Sequence, residues 1–202
     1  MNRFAMPKPR LRVFASLAAL ALIAGCGEPA PQAPPLEGAA IGGPFTLLDG
    51  DGKTVRWSDF DGKWRMVYFG YAYCPDVCPF DVQRMMQGYA AFAAQDPDRA
   101  AKIVPIFITV DPERDTPAVV KEFTSAFSDD LIGLTGTPEQ VREAATNFSV
   151  YYEKSEETDA GGYMMDHSRG AYLLDPQGKP IALLPVDEAA QGVTEVLDQW
   201  VN

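Results

Sequence analysis

Residues 64–70, Trp-Arg-Met-Val-Tyr-Phe-Gly, form a short apolar and aromatic run between polar neighbours. That is the pattern of a strand buried on both faces. Residues 102–110 repeat it and predict a second buried strand. Between them the period changes. Val82, Met85, Met86, Tyr89 and Phe92 share one stripe of a helix over residues 79–95, with Pro79 in its first turn and Asp81 facing the positive end of its dipole. Before the first buried strand, residues 45–48 and 54–57 flank Asp49-Gly-Asp-Gly52, a hairpin signal. After the second, Thr116 caps a helix over 117–127; a short strand at 131–134, a helix at 138–147 and an extended piece at 148–152 follow. Residues 153–165 are polar, glycine-containing and aperiodic, which predicts a mobile loop or long hairpin. Asp166 and His167 then open a strand over 170–174, which turns through Asp175-Pro-Gln-Gly178 into 181–185, and an amphipathic helix over 188–201 closes the chain. This order predicts an α/β fold, a thioredoxin-like three-layer sandwich with an N-terminal β-hairpin extension.

The first 43 residues are of another kind. Arg3, Lys8, Arg10 and Arg12 precede an apolar stretch from Val13 to Ala24, and Leu22-Ile-Ala-Gly-Cys26 ends it. Basic flank, apolar run and small residues make residues 1–25 a signal peptide, with an apolar stretch shorter than the ~20 residues of a spanning helix. The final cysteine resembles that of a bacterial lipobox, so Cys26 is the expected lipidation site and first mature residue, anchored at a membrane without a spanning helix. Residues 26–43 are rich in proline, alanine and glycine and read as a flexible linker, with a reach of roughly 50 Å at about 3 Å per residue. The domain is expected from residue 44 to 202.

With 202 residues, 47% of them apolar, the chain suffices for one domain with a real core. Removing the leader takes away four basic and no acidic side chains, so a formal charge of −11 becomes −15. Nucleic acid is thereby excluded as a natural partner.

Of three cysteines, one is assigned to lipid, and two remain in Tyr71-Ala-Tyr-Cys-Pro-Asp-Val-Cys-Pro-Phe80, at the junction of the first buried strand and the following helix. A Cys-x-x-x-Cys pair in an exported chain is a structural disulfide, a redox-active dithiol or a soft-metal site. So small a loop closes little chain entropy, which disfavours the first. A helix N-terminus lowers a thiol pKa, and thiolate is both nucleophile and metal ligand. Three intervening residues widen the bite towards one shared ion. His167, the single histidine, enters at a strand end beside this turn in the proposed topology. Two thiolates and a neutral imidazole suit Cu(I), whereas Zn(II) wants a fourth ligand or water. Cu(II) prefers more nitrogen or oxygen, for which Asp76 is nearest, although Asp76 also reads as a turn residue. Met85 and Met86 are soft donors whose helical spacing assigns them to the core.

Tyr73-Cys-Pro-Asp-Val-Cys-Pro79, Thr109-Val-Asp-Pro-Glu-Arg-Asp-Thr-Pro117, Asp166-His-Ser168 and Tyr172-Leu-Leu-Asp-Pro-Gln-Gly178 resemble motifs of the Sco/SenC family of copper proteins. The resemblance spans the domain from Pro44 onward. It implies a thioredoxin-like fold, copper held by Cys74, Cys78 and His167, and a role in assembling the CuA centre of cytochrome c oxidase. Many members carry a transmembrane helix where this chain looks lipidated. Asp111 and Asp115, in the second motif, either shape the site or a docking surface, or simply build an Asp-Pro turn and helix cap.

The expectation is a membrane-anchored metallochaperone facing the periplasm or extracytoplasmic space of a bacterium, binding Cu(I) and also Cu(II). Its expected partners are the copper-bearing subunit of cytochrome c oxidase, other copper chaperones and thioredoxin-like reductants. No residue is assigned a catalytic role beyond the redox-active pair Cys74 and Cys78. The alternative is a thiol–disulfide oxidoreductase that keeps the acceptor's cysteines reduced; a peroxidase-like enzyme or redox sensor is a third reading that the fold permits.

Overall fold

The computed structural model describes Met1, residues 32–156 and residues 162–202. The expected leader and the lipidation site Cys26 lie outside the described residues. Ala33–Asn202 is one compact unit.

Its centre is a seven-stranded mixed sheet, in the order β2-β1-β5-β4-β3-β8-β9. The strands are β1 (Thr46–Asp49), β2 (Thr54–Arg56), β3 (Trp64–Gly70), β4 (Ile103–Thr109), β5 (Ile132–Thr135), β8 (Ala171–Leu174) and β9 (Pro180–Leu184). β3, β4 and β5 run parallel, while β1 and β8 pair antiparallel to β5 and β3. Every residue of β3 is buried, which explains its unbroken apolar run. Alternation sends its side chains to two layers. Tyr68 meets Asp81 of α1 (Val77–Gln95), and Phe107 of the neighbouring β4 packs at a tilt against Phe123 of α3 (Pro117–Ser125). Phe69 faces the other way onto Phe148, just past α4 (Pro138–Asn147). The predicted stripe of α1 is the buried one, Met85 and Met86 included; those methionines serve the core. A short α2 (Pro97–Ala100) leads into β4, and α5 (Ala190–Trp200) packs along α1. Gly88 permits that approach, because a Cβ there would stand 2.6 Å from the Ala190 carbonyl oxygen and from Val193 Cβ.

Two boundaries differ from expectation. Leu36 and Ile41, inside the expected linker, pack against the core, and the amides of Leu36 and Gly42 bond to the carbonyls of Ile181 and Asn147. Sparse apolar residues concealed that packing. His167 does not open a strand of the central sheet either. It ends β7 (Met165–His167), which pairs antiparallel with β6 (Tyr152–Lys154) in a separate two-stranded ribbon, Tyr152 opposite His167. The polar segment before it is thus bounded by the two paired strands of a hairpin. No helix among the described residues is long and apolar enough to cross a membrane.

Candidate metal centre

β3 ends at Gly70, and the chain turns through Tyr71–Cys74 into α1, whose first turn holds Cys78. Gly70 is required there: a Cβ would lie 2.7 Å from Tyr68 Cε1 and 3.3 Å from Cys78 Sγ. Helix α1 begins at Val77, two residues ahead of the expectation, so its free amides surround the first sulfur. The Cys78 amide donates to Cys74 Sγ at 3.4 Å. Cys74 is held at a pKa of about 5, first by a hydrogen bond from the Cys78 thiol, then by the amides of Asp76 and Cys78 and the Tyr71 hydroxyl, against the opposing effect of burial. Cys78 is pushed the other way by the same hydrogen bond and by burial. The pair therefore consists of a Cys74 thiolate beside a Cys78 thiol, and both cysteines are free of disulfide.

His167 completes the cluster. Its Nδ1 stands 2.9 Å from the Ser168 carbonyl oxygen, which can only accept, so Nδ1 carries the proton. Nε2 is left with its lone pair, 3.4 Å from Cys78 Sγ. The Cys78 S–H thus has two acceptors, the Cys74 sulfur and His167 Nε2. One proton cannot satisfy both, whereas a soft cation in its place would meet two sulfurs and an imidazole nitrogen. The donor set fits Cu(I). As the side chains stand, no group of three or more His, Cys, Asp and Glu among the described residues is arranged to hold an ion; the imidazole is drawn to Cys78.

The aspartates divide. Asp76 is exposed at the N-cap of α1, makes no side-chain cap bond and contributes its amide to the Cys74 sulfur. Asp115 is fully buried and accepts from the Ala72 amide at 2.8 Å and the Thr109 hydroxyl at 2.6 Å, so it anchors the cysteine turn. Burial pushes its carboxyl up. Asp111, also buried, bonds Arg114 and Tyr163 instead.

Other contributors gave little signal in the sequence. The Tyr71 ring lies edge-on to His167, with centroids 5.9 Å apart, and its hydroxyl is pushed up to about 12, mainly by burial. Asp81, expected to complement the helix dipole, is a fully buried carboxylate in the second turn that accepts from Tyr68 and from both Nε and Nη2 of Arg169. Helical spacing shows that Asp81 faces the core but not which cation meets it. Beside the cysteine turn, Ala72, Tyr73, Pro79, Phe123 and Phe127 line an open groove of about 520 Å³, and Tyr73 and Phe80 are exposed.

A family model for SCO1/SenC matches residues 33–202. This chain belongs to the SCO1/SenC family. It is 45% identical over 139 residues to SenC of Rhodobacter capsulatus, covering 69% of this chain and 61% of SenC. The chain spans about half the length of the mitochondrial SCO1 homolog 1 of Arabidopsis thaliana, 48%. Among solved structures, Bradyrhizobium japonicum ScoI with copper bound is 37% identical, with a TM-score of 0.71 over 79% of this chain and 99% of that one. BsSco, described as a member of the Sco family of cytochrome c oxidase assembly proteins with a disulfide switch, is 22% identical. It shares the fold at a TM-score of 0.60 over 78% of this chain and 91% of its own. The architecture is thioredoxin-like, as the order of elements implied.

Proposed function

We propose that this SCO1/SenC chain is a copper-binding metallochaperone: Cys74, Cys78 and His167 hold Cu(I) and pass it to the CuA centre of cytochrome c oxidase. The observation that carries the reading is the convergence of three soft donors: His167 Nε2 lies 3.4 Å from Cys78 Sγ, with Nδ1 turned to the Ser168 carbonyl, and the Cys78 amide holds the Cys74 sulfur beside them. Copper is the cargo. Cys74 is already a thiolate and needs no deprotonation; Cys78 gives up its proton when the ion arrives, and His167 offers Nε2. Copper affinity therefore rises with pH while Cys78 is protonated. Transfer proceeds by exchange of these donors for acceptor thiolates, with the groove lined by Ala72, Tyr73 and Pro79 as an apolar surface beside the cysteine turn. Oxidising the pair to a disulfide removes two of three ligands, which couples affinity to redox state. Lipidation at Cys26 would hold the domain at the membrane that contains the acceptor.

An anaerobic Cu(I) titration of the reduced protein against a chromophoric competitor tests this, run beside His167→Ala. One equivalent bound, and a loss of tenfold or more (above ~1.4 kcal/mol) in the variant, is expected. Binding indifferent to His167 refutes the three-ligand site.

The asymmetry of the pair favours a second reading, thiol–disulfide reduction. The Cys74 thiolate would attack an acceptor disulfide and release one acceptor thiolate; Cys78, losing its proton, would then attack the mixed disulfide and release the second. Two electrons pass to the acceptor as Cys74 and Cys78 become a disulfide. Full assembly activity in His167→Ala would select this reading.

A further inference from the structure

The loop from Asp111 to Asp115, between β4 and α3, touches both halves of the site. At one end Asp115 holds the Ala72 amide and with it the cysteine turn. At the other end the loop grips the hairpin that carries His167, and Tyr163 is the point it grips. The Tyr163 hydroxyl donates to Asp111 Oδ1 at 2.8 Å, and Arg114 Nη1 donates to the Tyr163 carbonyl at 2.9 Å. The Arg114 guanidinium lies over the Tyr163 ring, 3.6 Å from its centroid, with the Lys154 ammonium 3.9 Å from it. Arg114 is itself fixed by an ion pair to buried Asp111. Lys154, on the β6 side of the hairpin, reaches Glu113 at 3.4 Å. The ribbon has only three residues in each strand, and a two-stranded ribbon of that length has little stability of its own. Its position must come from outside: Met165 is buried in the core, and the Tyr163 contacts add a polar anchor four residues before His167.

We infer that Tyr163, Asp111 and Arg114 are positioning residues: they brace the β6–β7 hairpin against the β4–α3 loop and so present His167 Nε2 to Cys78. None of the three touches a sulfur through any contact described above. One loop thereby registers the imidazole against the thiols, and weakening its hold on Tyr163 withdraws the third ligand while leaving the dithiol intact. The inference rests on the three-ligand reading, and its test separates the two.

The test uses the reduced full chain with Tyr163→Phe, which deletes one hydroxyl, and Arg114→Lys, which keeps charge but loses the planar fork. In the metal-free proteins, hydrogen exchange at residues 163–168 should quicken roughly tenfold, as for loss of one hydrogen bond to a charged group, while residues 64–70 stay unchanged. Cu(I) affinity should fall by a similar factor in Tyr163→Phe, and by less than about twofold when that change is made in a His167→Ala background. Equal losses in both backgrounds overturn the brace, as does faster exchange with unchanged affinity. A loss in His167→Ala with none in Tyr163→Phe or Arg114→Lys also overturns it and leaves the ligand set standing. No loss in His167→Ala overturns the ligand set, and unchanged exchange in both brace variants would then remove the brace as well.

Discussion

Acidifying the metal-free, reduced protein should leave Cys74 reactive long after an ordinary thiol has been silenced. With Cys74 held at about 5, nearly all of it is thiolate at pH 7, against about 3% for a free cysteine of pKa ~8.5. That excess of roughly thirtyfold is nearly cancelled, because a thiolate loses nucleophilicity as its pKa falls, by about fortyfold over this gap at a Brønsted slope near 0.45. Rates at pH 7 therefore discriminate poorly. At pH 6 the excess of thiolate grows to about three-hundredfold, and Cys74 should alkylate on the order of eight times faster than a free thiol. The sign follows from the lowered pKa: the reactive form persists as acid is added and is lost only as pH falls through about 5. Iodoacetamide rates from pH 4 to 9, with peptide mapping to separate the cysteines, should show a plateau for Cys74 above about pH 6 and no competing reaction at Cys78, which is fully buried and raised. Tyr71→Phe removes one donor to the sulfur and should move the break upward. A Cys74 rate that climbs tenfold per pH unit through pH 8 would refute the assignment of thiolate to Cys74.

Other consequences concern the scaffold. Asp115→Ala leaves the Ala72 amide and Thr109 hydroxyl without their acceptor and should cost about 2–4 kcal/mol in urea unfolding, with faster alkylation of Cys78 as the turn loosens. Arg169→Met removes two donors from buried Asp81; the loss should be about 1–3 kcal/mol, since Arg169 is partly exposed and Arg84 stands 3.7 Å from Asp81 to compensate. Gly88→Ala gains about 1 kcal/mol of helix propensity but drives a methyl into the Ala190 carbonyl and Val193, so overpacking of about 1–3 kcal/mol should win and lower the melting temperature.

Much of the layout was legible because buried strands and amphipathic helices print their period directly into the chain. The run from Trp64 to Gly70, the α1 stripe, the Thr116 helix start and the helix over 138–147 needed no tertiary information beyond one core to face. The β6–β7 ribbon was legible only as one of two readings of a polar segment, and its register not at all, because three-residue strands on a polar surface carry no usable alternation. Nor was the packing of Leu36 and Ile41, two apolar residues in a proline-rich stretch whose backbone partners, the carbonyls of Ile181 and Asn147, lie far along the chain.

The candidate site divides along the same line. Cys74, Cys78 and His167 could be named from residue chemistry and spacing, since few side chains supply thiolate or imidazole, and that is a local property. Which sulfur is ionised, which histidine nitrogen is free and what holds the imidazole in place depend on through-space neighbours: the amides of α1, the Ser168 carbonyl, and Tyr163 against Asp111 and Arg114. Electrostatic and hydrogen-bond terms act over a few ångströms in space, whatever the separation along the chain. The linear order therefore determined the chemistry available to this protein, and only the folded arrangement decided the protonation and position of each group.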